Sequence, residues 1–147
     1  MKKYFSLLVL FSALTTAVTF AQDVPAAAEK VLNAAQAKAA TENKKILLMF
    51  HASWCGWCHK MDSSLSDASC KNAFDKNFVI EHITVQERKE KENLNNPGGE
   101  DLMNRFNGKD QGLPFWVVLD KDGKLLSDSR MNYTDKAGKQ SLQNTGC

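Results

Sequence analysis

The chain has 147 residues, 43% of them hydrophobic, with 19 basic and 17 acidic side chains and four cysteines. That length suits one small domain rather than two, and the ordinary apolar share lets it build one core. The near balance of charge excludes a nucleic-acid surface or a strongly acidic partner as the basis of function, and the cysteines are too few for a disulfide-stapled scaffold.

Chain order begins with a targeting segment. Lys2 and Lys3 form a positive start, residues 7–20 are apolar and uncharged, and Thr19-Phe20-Ala21 puts small residues where a signal peptidase inspects. The expected division is a signal peptide over 1–21, cleaved after Ala21, and a mature domain over 22–147. The alternative, an uncleaved membrane anchor, has a short apolar stretch for a span. No cysteine lies near the cleavage site, so no lipid-anchored form is suggested. Removing the segment takes two lysines and no acid, which leaves seventeen charges of each sign. The expected location is periplasmic or otherwise extracytoplasmic, where disulfides persist.

Residues 25–42 are alanine-rich. Val24, Ala27, Val31, Ala35 and Ala39 recur at three- and four-residue steps, a helical stripe, with Pro25 suited to the first turn. Residues 46–50 are an unbroken apolar run, which predicts a strand buried on both faces. The stretch HASWCGWCHKM, from His51 to Met61, follows. A helix is expected over 58–65 with Cys55 at or just before its first turn, then a short helical piece over 70–74. Residues 78–85 are rich in β-branched types and predict a second strand. Residues 87–99 read as a solvated loop or ragged helix, and the mixed charges of 87–92 as an exposed face. Leu102, Met103 and Phe106 form one side of a short helix ending at Gly108. Residues 115–119 predict a third strand and 124–126 a fourth, joined through the turn at 120–123 as a hairpin. The Asp-x-Asp-Gly letters of that turn lack the other ligands of a calcium loop. From Ser127 onward the chain is polar, and there is no repeat or low-complexity tract.

The order implies a βαβ unit followed by an antiparallel hairpin. The expected fold class is α/β, a mixed sheet with helices on both faces.

The cysteine motif fits three chemistries. Cys-x-x-Cys is a redox pair, Cys-x-x-Cys-His is a haem attachment pattern, and two close cysteines are half a zinc site. For haem, Cys55, Cys58 and His59 satisfy the pattern, and Met61, Met103 or Met131 could be a sixth ligand. Small cytochromes of that kind are mostly helical, whereas here a buried strand feeds the motif. Zinc lacks a second ligand pair.

For redox work the thiolate is the nucleophile, so one cysteine needs a lowered pKa. Cys55 sits where unpaired helix N–H groups and the positive dipole end favour negative charge. Cys58 lies one turn along. Cys55 would attack a substrate disulfide and Cys58 would resolve the mixed disulfide. His59, four residues after Cys55, is a candidate modulator of its pKa or a solvated helix position. Trp54 and Trp57 flank Cys55 and offer apolar contacts to substrates, with Trp54 alternatively part of the core. His51 is expected to be packed rather than catalytic. Cys70 is expected to be a small buried hydrophobe, and a Cys70–Cys147 bridge would tether the C-terminus.

With Ile46-Leu47-Leu48-Met49-Phe50-His51-Ala52-Ser53-Trp54-Cys55-Gly56-Trp57-Cys58-His59-Lys60-Met61 in view, then Gly112-Leu113-Pro114-Phe115 and the turn at 120–123, the chain resembles the thioredoxin superfamily over about residues 24–126. It is most similar to exported members with a Trp-Cys-Gly-Trp-Cys core. The resemblance implies a three-layer thioredoxin-like fold and a thiol–disulfide oxidoreductase of the reductase or isomerase type, with no cofactor. It implies catalytic Cys55 and Cys58, and substrate contacts from Trp54, Gly56, Trp57, Leu113 and Pro114. Pro114 would be cis and would present the backbone of Leu113 to an extended substrate. The partners would be protein disulfides or dithiols, and a reducing role outside the cytosol implies a membrane electron donor. A non-catalytic binding module is the further alternative, although such proteins commonly lose a cysteine. Two departures stand out. Thioredoxins place a buried aspartate six residues before the first cysteine, where this chain has Met49. They also end in a helix, and none is legible after Leu126, as if it were missing or truncated.

Overall fold

The computed structural model describes residues 24–130, 133–134 and 140–141. The expected signal segment with its cleavage site, and the proposed Cys70–Cys147 bridge through Cys147, lie outside the described residues.

Helix α1 (Ala28–Glu42) opens three residues later than Pro25. Its start is set from outside, by Ala28 N–H donating to Pro97 O at 2.9 Å. The helix therefore buries Ala28, Leu32, Ala35 and Ala39, while Val24 stays 76% exposed. The expected stripe was right at Ala35 and Ala39, held in part at Val31, which packs partly buried against the core, and was out of phase at Val24 and Ala27. Asn43 ends the helix in the left-handed conformation, φ 52°, with its N–H returned to Ala39 O.

Strand β1 (Lys45–His51) is buried from Ile46 through Phe50. Its two faces enter different cores, as an apolar run without alternation requires. Ile46, Leu48 and Phe50 pack with α1, with α4 (Gly99–Arg105) and with Val117 and Leu119. Leu47 and Met49 pack with Met61 and Leu65 of α2 (Gly56–Ser66) and with Phe74 of α3 (Ala68–Asn77). The result is three layers, helices on each face of one sheet.

The sheet order is β2-β1-β3-β4. Strand β2 (Phe78–Thr84) runs parallel to β1, with Met49 level with His82 and His51 with Thr84. Strand β3 (Phe115–Leu119) runs antiparallel on the other side, with Phe50 opposite Phe115. A short 3₁₀ stretch, Lys89–Leu94, sits in the charged loop after β2. Strand β4 (Leu125–Asp128) lies further along than the expected 124–126. The cause is the turn, where Asp120 Oδ1 accepts from both Asp122 N–H and Lys124 N–H and keeps residue 124 out of the strand. Beyond β4, β5 (Tyr133–Thr134) and β6 (Gln140–Ser141) pair antiparallel. Among the described residues, no helix is long and apolar enough to cross a membrane.

Candidate active site

The site lies where β1 ends. Cys55 is the N-cap of α2, in extended conformation, and its Sγ accepts from Cys58 N–H at 3.1 Å. A sulfur in that place satisfies one of the N–H groups that a helix start leaves unpaired, and it lies at the positive end of the dipole. Cys55 and Cys58 are joined, S–S 2.03 Å with Cα atoms 5.3 Å apart. The two sulfurs that haem attachment would need are thus bonded to each other. The motif also sits in a mixed α/β fold rather than a helical cytochrome. Among the described residues, no group of three or more His, Cys, Asp or Glu is placed to hold a metal ion.

The pair is enclosed. Cys55 is 3% exposed and Cys58 0%. Solvent access therefore does not separate the two in the oxidised form, and it is the N-cap position that distinguishes Cys55. Ala52 and Leu113 pack against the two sulfurs' residues. The Leu113–Pro114 bond is cis. Gly112 before it has φ 74°, a conformation other residues adopt only with strain. A Cβ on Gly56 would meet nothing within 4 Å, so the position between the cysteines borders open space. Trp57 is 61% exposed, with Lys60 Nζ 4.3 Å from its ring centroid. Trp54 is 44% exposed rather than core, and its indole N–H donates to Gln86 O at 2.8 Å.

His59 is turned back along the chain. Its Nε2 lies 3.0 Å from Ser53 O, and since a carbonyl only accepts, that nitrogen carries the proton. The ring thus holds the backbone ahead of Cys55, an alternative to the expected direct influence on the thiolate. His51 is half-buried, with Nε2 3.2 Å from Thr84 Oγ1 and its ring edge-on to His82 at 5.1 Å. His82 Nε2 is in turn 2.8 Å from Asp62 Oδ1 on α2. Burial is the main cause that holds His51 below its ordinary value of 6.5; the His82 and His59 rings act the same way, while Asp62 and Glu87 oppose them. A histidine with a depressed folded pKa takes its proton later than the unfolded chain does as pH falls. Its contribution to stability is present above 6.5 and is lost as the pH drops from there through the folded value. The urea midpoint is expected to decline as the pH falls below about 6.5, and to decline less in His51→Gln.

Sequence reasoning missed Ser53, Gln86 and Glu87, which form a polar cluster beside the pair, and the Asp62–His82 pair. Glu87 was read as one charge of an exposed run. Topology held the signal: residues that follow two adjacent parallel strands end up side by side, at the end of the sheet where α/β sites gather.

A family model described as Thioredoxin-like matches residues 27–121. A search of curated proteins finds no match. Among solved structures, the chain is similar to a disulphide isomerase from Xylella fastidiosa Temecula1. The TM-score is 0.56 at 26% identity, covering 79% of this chain and 80% of that one. It is also similar in fold to a DsbH oxidoreductase, TM-score 0.51 at 18% identity, covering 89% of this chain and 85% of that one.

Proposed function

The chain belongs to the thioredoxin-like family, and from that membership we propose that it is an exported thiol–disulfide oxidoreductase that reduces protein disulfides. One observation carries the reading: Cys55 caps α2, bonded to Cys58, with Leu113, joined by a cis bond to Pro114, packed against the pair. In the working direction the Cys55 thiolate attacks one sulfur of a client disulfide. A Cys55–client mixed disulfide forms and the first client thiolate leaves. The Cys58 thiolate then attacks Cys55 Sγ, which forms the Cys55–Cys58 bond and releases the second client thiolate. Two electrons pass to the client, and the enzyme ends joined as seen here.

Leu113 offers backbone to an extended client segment, while Trp54 and Trp57 offer apolar contact beside Cys55. The likeness to the Xylella disulphide isomerase supports exchange on protein disulfides. Export rests on residues 1–21 as a cleaved signal, with 22–147 as the mature, extracytoplasmic domain. There a dithiol donor in the membrane would recharge Cys55 and Cys58.

The reducing direction rests on Gly56-Trp57, which puts no charge and no histidine between the cysteines to stabilise the thiolate further. The expected potential is about −270 to −200 mV, well below the roughly −120 mV of a strong oxidant. Titration against glutathione or dithiothreitol measures it. A two-electron couple in that window, with turnover in an insulin-reduction assay, is the expected result. The absence of any Cys55–Cys58 couple would overturn the function, and a potential near the oxidant's would overturn the direction.

A further inference from the structure

We propose that Glu87 is a positioning residue for the Cys55–Cys58 pair: together with the backbone of Gln86 it clamps Ser53–Trp54, the two residues that aim the start of α2. The inference rests on the oxidoreductase reading and adds to it the group that holds the reactive turn.

The segment between β1 and α2 belongs to neither element's hydrogen-bond ladder. One backbone bond closes it, Cys55 N–H to Ala52 O at 3.0 Å. The polar groups of Ser53 and the Trp54 indole are held by side chains and by a distant loop. Ser53 N–H donates to Glu87 Oε1 at 2.5 Å, and Ser53 Oγ donates to Glu87 Oε2 at 2.8 Å. Trp54 Nε1 donates to Gln86 O, and Ser53 O accepts from His59 on α2 itself. Every polar group of Ser53 is engaged. The clamp thus runs from the loop after β2, through Ser53, to the first turn of the helix that Cys55 caps.

That loop is itself tied down. Gln86 takes a left-handed conformation, φ 55°, which swings Glu87 back toward Ser53. Glu87 N–H donates to Asn95 Oδ1 at 3.0 Å. Asn96 accepts from Thr84 N–H at 2.6 Å and donates to Ala26 O at 2.7 Å, which joins the loop to β2 and to the lead-in of α1. The carboxylate therefore reaches Ser53 from a braced support. Desolvation, the largest single influence on Glu87, pushes its pKa up. The Ser53 backbone and hydroxyl bonds, with the Lys91 and His51 charges, outweigh it and hold the group below 4.5. Glu87 is ionised wherever thiol exchange runs, and His51, His59 and Lys91 are the titratable groups around it.

Since Ser53 is exposed and Glu87 only partly buried, water can replace their bonds with little loss of stability. What water cannot replace is direction. Exchange requires three sulfurs near one line, and small misplacements of reacting atoms cost far more in rate than in folding.

Two substitutions separate position from charge. Glu87→Gln keeps both contacts, its carbonyl accepting from Ser53 N–H and its amide donating to Ser53 Oγ, and loses the charge. Glu87→Ala loses both contacts. In the purified full-length protein, Glu87→Ala is expected to speed amide exchange at Ser53 and to change the rate at which dithiothreitol opens the Cys55–Cys58 disulfide. It is also expected to lower kcat/KM for insulin reduction by about ten-fold, with thermal unfolding nearly unmoved. Glu87→Gln is expected within about two-fold of the parent in each rate. An alanine variant that matches the parent, or a glutamine variant as impaired as alanine, would overturn the clamp. A parent protein inactive toward insulin would undo the oxidoreductase reading alone, because amide exchange and disulfide opening are read on the turn and the pair themselves.

Discussion

Replacing Cys58 by serine is expected to leave the protein joined to its clients. The attack by Cys55 does not need Cys58, but the second displacement does, so mixed disulfides should accumulate and run as larger bands on a non-reducing gel. Cys55→Ser is expected to abolish both trapping and insulin reduction, down to the uncatalysed background. The reason for the asymmetry is the N-cap. A Cys55 thiolate would keep the Cys58 N–H that Sγ already accepts and would sit at the positive end of α2. Cys58, one turn in and fully buried, has no such donor at its sulfur among the described contacts. Burial makes serine there a polar group short of partners, at a cost of about 1–3 kcal/mol, so Cys58→Ala serves as the companion variant and should trap equally well. If Cys55→Ser traps clients and neither Cys58 variant does, nucleophile and resolving thiol are exchanged. If no variant traps anything, the oxidoreductase reading loses its mechanism.

The residues that carry this chemistry were legible from sequence because they are local. Ile46 to Phe50 announces a buried central strand by having no polar alternation, and Cys55 and Cys58 follow it at a spacing that one helical turn explains. Leu113-Pro114 before a strand could be placed only through resemblance, since nothing in its own letters says that it packs against Cys55. What escaped is non-local. Glu87 reaches Ser53 across thirty-four positions, from a stretch whose composition matches any solvated loop. Asp62 and His82 meet because α2 lies over β2, and the histidine falls level with Met49, where thioredoxins keep their acid. The phase of α1 was misjudged for a similar reason. A helix made largely of alanine has a weak apolar stripe, and the hydrogen bond that Ala28 N–H donates to Pro97 O decides where it begins.

Phe115→Ala is expected to weaken the fold and the site together. The ring is fully buried and lies 5.9 Å from that of Phe50, tilted by 31°. It also covers Gly108 so closely that a Cβ there would meet Phe115 Cε1 at 2.5 Å. Emptying this position should cost about 3–5 kcal/mol, a transfer loss plus a cavity that close packing cannot collapse. For a domain of this size that is several degrees of melting temperature per kcal/mol. Phe115 is also the residue after Pro114, so its ring is what fixes the Leu113–Pro114 edge to the core. Leu119→Ala provides the comparison. Leu119 is fully buried in the same cluster, at the far end of β3 opposite Ile46. Its loss should cost a comparable 2–5 kcal/mol. Assayed well below both melting points, Leu119→Ala should retain insulin reduction and Phe115→Ala should lose most of it. The difference is expected in KM, because in the proposed mechanism Leu113 and Pro114 hold the client rather than exchange electrons. Equal activity in the two variants would mean that the substrate edge keeps its place without the Phe115 ring, and that the core supports the site only by keeping the chain folded.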